Sequence, residues 1–160
     1  MNIHILAIGR LKDGAMRQIA AGYADRTVKA GPQAGLKSLT IREFDEARGS
    51  SPNQRKAIER DKFLAALPAA SIVVALDETG KNISSRALSD QIATWRDNGE
   101  KDLVFVVGGP DGLDPELVRK SRMILAFGKA TWPHQLVRVM LLEQIYRVIT
   151  LLLGHPYHRD

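Results

Sequence analysis

The sequence predicts an α/β fold with a mostly parallel sheet flanked by helices. Three observations predict it. Five short apolar runs recur along the chain, segments with helical spacing stand between them, and Gly or Pro marks most of the junctions. The chain has 160 residues, enough for one domain that buries roughly 70% of its unfolded-chain surface. No Ser/Gly linker, repeat or low-complexity tract interrupts it, so 1–160 reads as a single domain.

The elements follow in order. Asn2–Ile8 is rich in β-branched residues and ends at Gly9, which predicts a strand. Over Asp13–Ala30, Met16, Ile19, Ala20, Tyr23 and Val28 recur at three- and four-residue spacings, which predicts a helix stopped by Gly31-Pro32. Leu36–Phe44 sets Leu39 and Ile41 among polar partners, the pattern of a half-buried strand. Pro52–Leu67 predicts a helix with Pro52 in its first turn, preceded by a mobile loop over 48–54. Ile72–Leu76 is continuously apolar, as a central parallel strand is.

Ser84–Asn98 predicts a third helix, with Ser84 or Ser85 as N-cap and Asn98-Gly99 as its stop. Leu103–Val107 is a second buried strand, Asp114-Pro115 caps and opens a short helix, and Met123–Phe127 is a fifth strand. Pro133–Leu153 is the last helix, with Thr131 or Trp132 as its cap. Its apolar residues cover more than the stripe a surface helix needs, so a second face has to be hidden. A homodimer interface is the simplest place for it.

Composition excludes several functions. There is no Cys, which removes disulfides, thiolate zinc sites and cysteine nucleophiles. The apolar stretch Leu136–Leu153 carries Arg138, Glu143, Gln144 and Arg147, so it does not read as a membrane span. The start lacks a basic n-region, and a cytoplasmic protein is expected. His155-x-x-His158 has a helix-breaking Pro156 and no third partner, so no metal site is expected. The net charge is +5, and it is unevenly placed. Residues 1–118 hold 16 basic and 16 acidic side chains, whereas residues 119–160 hold 7 and 2. That concentration points to an anionic partner such as nucleic acid.

Three strand ends are candidate ligand loops: Leu76–Lys81, Val107–Gly112 and Phe127–His134. Ligands of open α/β sheets bind beyond the carboxyl ends of strands, and Gly lets the backbone turn or approach a ligand there. None of the loops fits G-x-G-x-x-G, a P-loop or G-x-S-x-G. His134, at a helix start, is expected to be neutral. The tail Pro156-Tyr157-His158-Arg159-Asp160 groups an aromatic, an imidazole and a guanidinium, which suit base stacking, proton transfer and phosphate binding.

Taken together, Leu76-Asp77-x-x-Gly80-Lys81, Ser84-Ser85, Gly108-Gly109-Pro110-Asp111-Gly112-Leu113, Thr131-x-Pro133-His134-Gln135-x-x-Arg138-Val139, Leu142-Glu143-Gln144-x-Tyr146-Arg147 and Pro156-Tyr157-His158-Arg159 resemble the ribosomal RNA large subunit methyltransferase H family of the SPOUT superfamily. The resemblance runs the length of the chain, and its two C-terminal motifs are the specific ones. It implies a C-terminal trefoil knot, a homodimer, and S-adenosylmethionine-dependent methylation of N3 of a pseudouridine in 23S rRNA on the assembled ribosome. By position it puts the cofactor on Leu76, Gly108, Phe127, Gly128, Lys129, Ala130, Thr131 and Trp132. Gly128 stands where many relatives carry serine; backbone contacts survive that change and a side-chain contact does not. His158 is the candidate base, Arg159 or Arg138 would hold phosphate or uracil oxygens, and Tyr157 would stack. Two other readings compete: a non-enzymatic α/β RNA-binding or ribosome-associated module, and a flavodoxin-like small-ligand binder. Cofactor titration separates all three.

Overall fold

The computed structural model describes residues 1–12 and 14–158. The helix start expected at Asp13 and the roles expected of Arg159 therefore lie outside the described residues. In chain order the elements are β1 (Asn2–Ile8), α1 (Ala15–Ala30) with a 3-10 turn (Gly31–Ala34), β2 (Ser38–Phe44), α2 (Pro52–Ala66), β3 (Ile72–Lys81), α3 (Ser85–Asp97), β4 (Asp102–Val107), α4 (Pro115–Lys120), β5 (Met123–Leu125) and α5 (His134–Leu152). The five strands form one sheet in the order β2-β1-β4-β3-β5, and every pairing is parallel. All strand carboxyl ends therefore open on the same side.

Side-chain alternation assigns each strand residue to one of two cores. Ile3, Ile5 and Ala7 of β1 and Leu103, Phe105 and Val107 of β4 face the layer holding Ala20 of α1, Leu88 and Ile92 of α3, and Leu141, Ile145 and Ile149 of α5. Leu6 and Ile8 of β1 and Val104 and Val106 of β4 face Phe63 of α2 and Leu117 of α4. Each fully buried aliphatic side chain contributes about 1.5–3 kcal/mol. Central strands buried on both sides explain why β4 reads as an unbroken apolar run.

Local chemistry sets the boundaries. Ser51, Ser84 and Asp114 cap α2, α3 and α4, accepting from the Gln54, Ala87 and Glu116 N–H groups. The loop expected over 48–54 is thus partly helix, since Pro52 begins α2. The cap of α5 is Pro133, not Thr131 or Trp132; the Leu136 and Val137 N–H groups bond its carbonyl, and no side chain contributes. β3 runs past Leu76 to Lys81 because a register shift lets Asp77–Gly80 bulge out before Lys81 pairs again with Leu125.

One expectation about apolar faces changes. On α1, Met16, Ile19 and Val28 are exposed, while Ala20 and Thr27 are buried. The face of α1 that packs on α5 carries Ala20 and the half-buried Tyr23, whose ring lies 6.2 Å from that of Tyr146, while Met16, Ile19 and Val28 point away. α5 is wedged between α1 and α3, with Val139, Leu141, Leu142, Ile145, Val148 and Ile149 buried, while Leu136, Val137, Met140, Leu151 and Leu152 are half-buried and Leu153 is exposed. Exposed large apolar side chains lie on α1, on Ile41 of the edge strand β2, on Ile58 and Leu64 of α2, at Trp132, and at Leu153 just past α5.

Candidate functional site

A cleft of about 860 Å³ lies over the carboxyl ends of β3, β4 and β5, a volume suited to a nucleoside-sized ligand. All three candidate loops line it. Leu76, Asp77, Glu78 and Thr79 come from the first, Gly108 to Leu113 from the second, and Phe127, Gly128, Ala130, Thr131 and Trp132 from the third. Val137 of α5 and Lys56 of α2 complete the wall. Lys129 is exposed and is not among the lining residues.

Each loop is held by identifiable contacts. Asp77 accepts from the Thr79 N–H at 3.0 Å and the Thr79 hydroxyl at 2.6 Å, closing the turn after Leu76. A Cβ on Gly108 would sit 2.7 Å from the Gly112 carbonyl carbon, so only glycine lets the second loop fold back on itself. Its tip is tied to α2 by a two-pronged ion pair, Arg55 Nε to Asp111 Oδ2 at 2.6 Å and Nη2 to Oδ1 at 2.9 Å. Those hydrogen bonds hold the Asp111 carboxyl below the usual carboxylate range.

The third loop turns at Gly128, whose φ of +103° favours glycine. It is closed internally by the Trp132 indole N–H donating to the Phe127 carbonyl at 3.0 Å, and bridged to the first loop by the Thr131 hydroxyl donating to Glu78 at 3.0 Å. His134 lies at the inner rim, and burial, reinforced by the Arg138 charge, pushes its imidazole below its ordinary pKa. A neutral ring at the start of α5 agrees with the expectation from the sequence.

Arg138 is a correction. It is 2% exposed, and its Nη1 donates to the Gly9 carbonyl at 2.9 Å and to Glu43 at 2.7 Å. Glu43 also accepts from the Leu11 N–H at 2.8 Å. The pair fastens the segment after β1, and a guanidinium at that depth presents no surface to RNA. Its charge belongs to the interior.

The tail lies apart from the cleft. Tyr157 packs edge-on against Tyr146 with centroids 4.9 Å apart, and its hydroxyl reaches Tyr23 at 3.3 Å and Glu143 at 3.1 Å. Burial and these contacts push the Tyr157 phenol well above its ordinary pKa, so it stays protonated. Glu143 also takes the Arg147 guanidinium, which stacks over the Tyr157 ring at 4.9 Å and meets His158 Nδ1 at 3.2 Å. Neither Tyr157 nor His158 lines the cleft of its own chain. Sequence reading missed Glu143 as the hub here, although the i, i+4 spacing of Glu143 and Arg147 on a helix signals it. It also missed Glu59, 5% exposed, whose carboxylate accepts from the Ala47 N–H at 2.9 Å and fixes the loop beside the glycine turn.

A parallel α/β sheet whose strand ends carry a nucleoside-sized cleft, and whose glycine-cut loops lead into a long C-terminal helix, has the architecture of a ligand-binding α/β protein. Residues 1–158 match the family model described as predicted SPOUT methyltransferase, and the chain belongs to that family, within its ribosomal RNA large subunit methyltransferase H branch. It is 50% identical over 159 residues to the ribosomal RNA large subunit methyltransferase H of Nitrobacter hamburgensis, covering 99% of both chains. The proteins of that name from Bradyrhizobium diazoefficiens and Rhizobium leguminosarum bv. trifolii are 48% and 46% identical, again with 99% of each chain covered. Among the described residues, no group of three or more His, Asp or Glu side chains forms a metal cluster, and no helix is long and apolar enough to cross a membrane.

Proposed function

We propose that this protein methylates N3 of a pseudouridine in 23S rRNA on the assembled ribosome, in the cytoplasm, with S-adenosylmethionine as donor. The observation that carries the proposal is the strand-end cleft in a chain of methyltransferase family. Its residues fit the cofactor. The backbone at Leu76, Gly108 and the 127–132 loop offers polar edges for the adenine, and Leu113, Leu125 and Val137 offer apolar faces. Asp77 and Glu78 supply negative charge at the wall where a sulfonium would be held. When bound, the cofactor supplies a methyl group already activated on positive sulfur, so the protein need only orient the acceptor nitrogen and help it lose its proton.

The tail and the cleft stand apart in one chain, and a homodimer resolves this. The exposed Met16, Ile19 and Val28 of α1 provide an apolar surface for a second copy, and the tail of one protomer then completes the cleft of the other. Tyr157 would stack on the target base there, and Arg159 would hold phosphate. The trefoil knot of the family is likewise proposed for the C-terminal segment; α5 packing back across α1 and α3 after the edge strand β5 supports it. Calorimetric titration with S-adenosylmethionine tests the cofactor assignment. Saturable binding near one site per cleft or per dimer is expected, and absence of binding would exclude an enzyme of this class.

A further inference from the structure

The cleft carries charge of both signs, and its positive side has one source. Asp77 and Glu78 line it from the first loop. Lys56 of α2 is the only lysine or arginine among the described lining residues; Lys129 does not line the cleft, and His134, which does, is kept neutral by burial and the Arg138 charge. α2 has four basic side chains, and three of them are engaged. Arg55 holds Asp111, Arg60 holds Asp61 and Glu116, and Lys62 donates to the Asp45 carbonyl at 2.8 Å. The half-buried Lys56 makes no hydrogen bond or ion pair among the described residues.

Helix geometry separates the two neighbours Arg55 and Lys56. Consecutive residues point about 100° apart around a helix, so Arg55 reaches the tip of the second loop while Lys56 reaches the cleft wall. The Lys56 charge is felt by the Asp111 carboxylate, which places it beside that loop. Arg55 already occupies both oxygens of that carboxylate, at 2.6 Å and 2.9 Å. Lys56 thus brings a positive charge and three hydrogen-bond donors to the cleft, with no protein group competing for them.

We infer that Lys56 is a positioning residue for the cofactor, its ammonium holding the carboxylate at the amino-acid end of S-adenosylmethionine. The inference rests on the proposed cofactor assignment and deepens it. That compound carries a positive sulfonium, a positive amino group and a negative carboxylate. Asp77 and Glu78 suit the positive groups, and Lys56 suits the negative one. The match sets which end of the ligand turns toward α2 and the second loop, and so limits the directions in which the methyl group can point.

Calorimetric titration with two ligands reads this contact without turnover. S-adenosylmethionine and its decarboxylated form differ in the carboxylate alone. Native protein is expected to bind the decarboxylated form about tenfold more weakly. Lys56→Gln is expected to bind S-adenosylmethionine about tenfold more weakly than native protein does, and the decarboxylated form within about twofold of it, so that the preference disappears. Lys56→Arg keeps the charge and is expected to retain most of the preference. A Lys56→Gln protein that keeps the native preference, or that weakens both compounds equally, would overturn the inference. So would unchanged affinities together with a shallower salt dependence of ribosome binding, which would make Lys56 an RNA phosphate contact. A native protein that binds neither compound would overturn the cofactor reading itself, and this inference with it.

Discussion

Gly108→Ala puts the greatest stress on the cleft for the least chemical change. The added Cβ would lie 2.7 Å from the Gly112 carbonyl carbon, 2.9 Å from its oxygen and 2.9 Å from the Leu113 nitrogen. These are backbone atoms, so no side-chain rotation relieves the clash. Ordinary contact begins near 3.4 Å, and the loop must therefore open by about 0.7 Å. It is tied down at the Gly109–Gly112 bridge and at Arg55–Asp111, so it cannot move as one piece. Overpacking of this kind costs about 1–3 kcal/mol. That cost divides between folding and cofactor binding. If the loop opens, S-adenosylmethionine affinity falls by about 10- to 100-fold, at 1.4 kcal/mol per tenfold. If it holds, the melting temperature falls by about 3 °C per kcal/mol. Calorimetry and thermal melts on one sample read both. Gly99→Ala, at a φ of +83° with nothing within 4 Å, is the control: it incurs backbone strain away from the cleft and should leave affinity unchanged. A Gly108→Ala protein with native affinity and native melting temperature would refute the reasoning.

Three further predictions follow from the same geometry. His134 has a depressed pKa in the folded chain, so the unfolded chain binds its proton first as pH falls; its stabilising contribution is complete above the ordinary histidine pKa and is lost as pH drops through the window below it. Melts from pH 7.5 to 5 should show a decline that His134→Asn flattens, and equal slopes would contradict the assignment. Arg138→Leu should cost about 3–5 kcal/mol by stranding Glu43 and the Gly9 carbonyl, while the salt dependence of ribosome binding per folded molecule stays native; a shallower slope would return Arg138 to the RNA interface. Deleting Tyr157–Asp160 should abolish methylation and leave cofactor affinity nearly unchanged, whereas full activity in the truncated protein would separate the tail from the reaction.

The parts of the fold visible in the sequence are those governed by local chemistry or by burial on both sides of a sheet. Ser84 and Asp114 announced their helices because a cap requires only nearby N–H groups, and β1, β3 and β4 announced themselves because their side chains enter apolar layers on either side. What depended on distant partners was hidden. The outward turn of Met16, Ile19 and Val28 follows from which face of α1 packs on α5, which no periodicity within α1 reveals. The extension of β3 through Asp77–Lys81 depends on a register shift against β5. Arg138 read as a surface cation because its partners, Gly9 and Glu43, lie more than ninety residues away in the chain. At the candidate site, the three glycine-cut strand ends were legible and converge on one cleft. The separation of the tail from that cleft was not legible, because it is set by the packing of Tyr157 against α1 and α5.

Methyl transfer to the ribosome tests the central claim most directly. Ribosomes from a strain lacking this gene would be incubated with the purified protein and S-adenosylmethionine labelled in its methyl group, and the 23S rRNA digested to nucleosides for mass analysis. The account predicts label in a single nucleoside, N3-methylpseudouridine, from native protein and none after deletion of the tail. Unlabelled rRNA, or label on any other nucleoside, would contradict it.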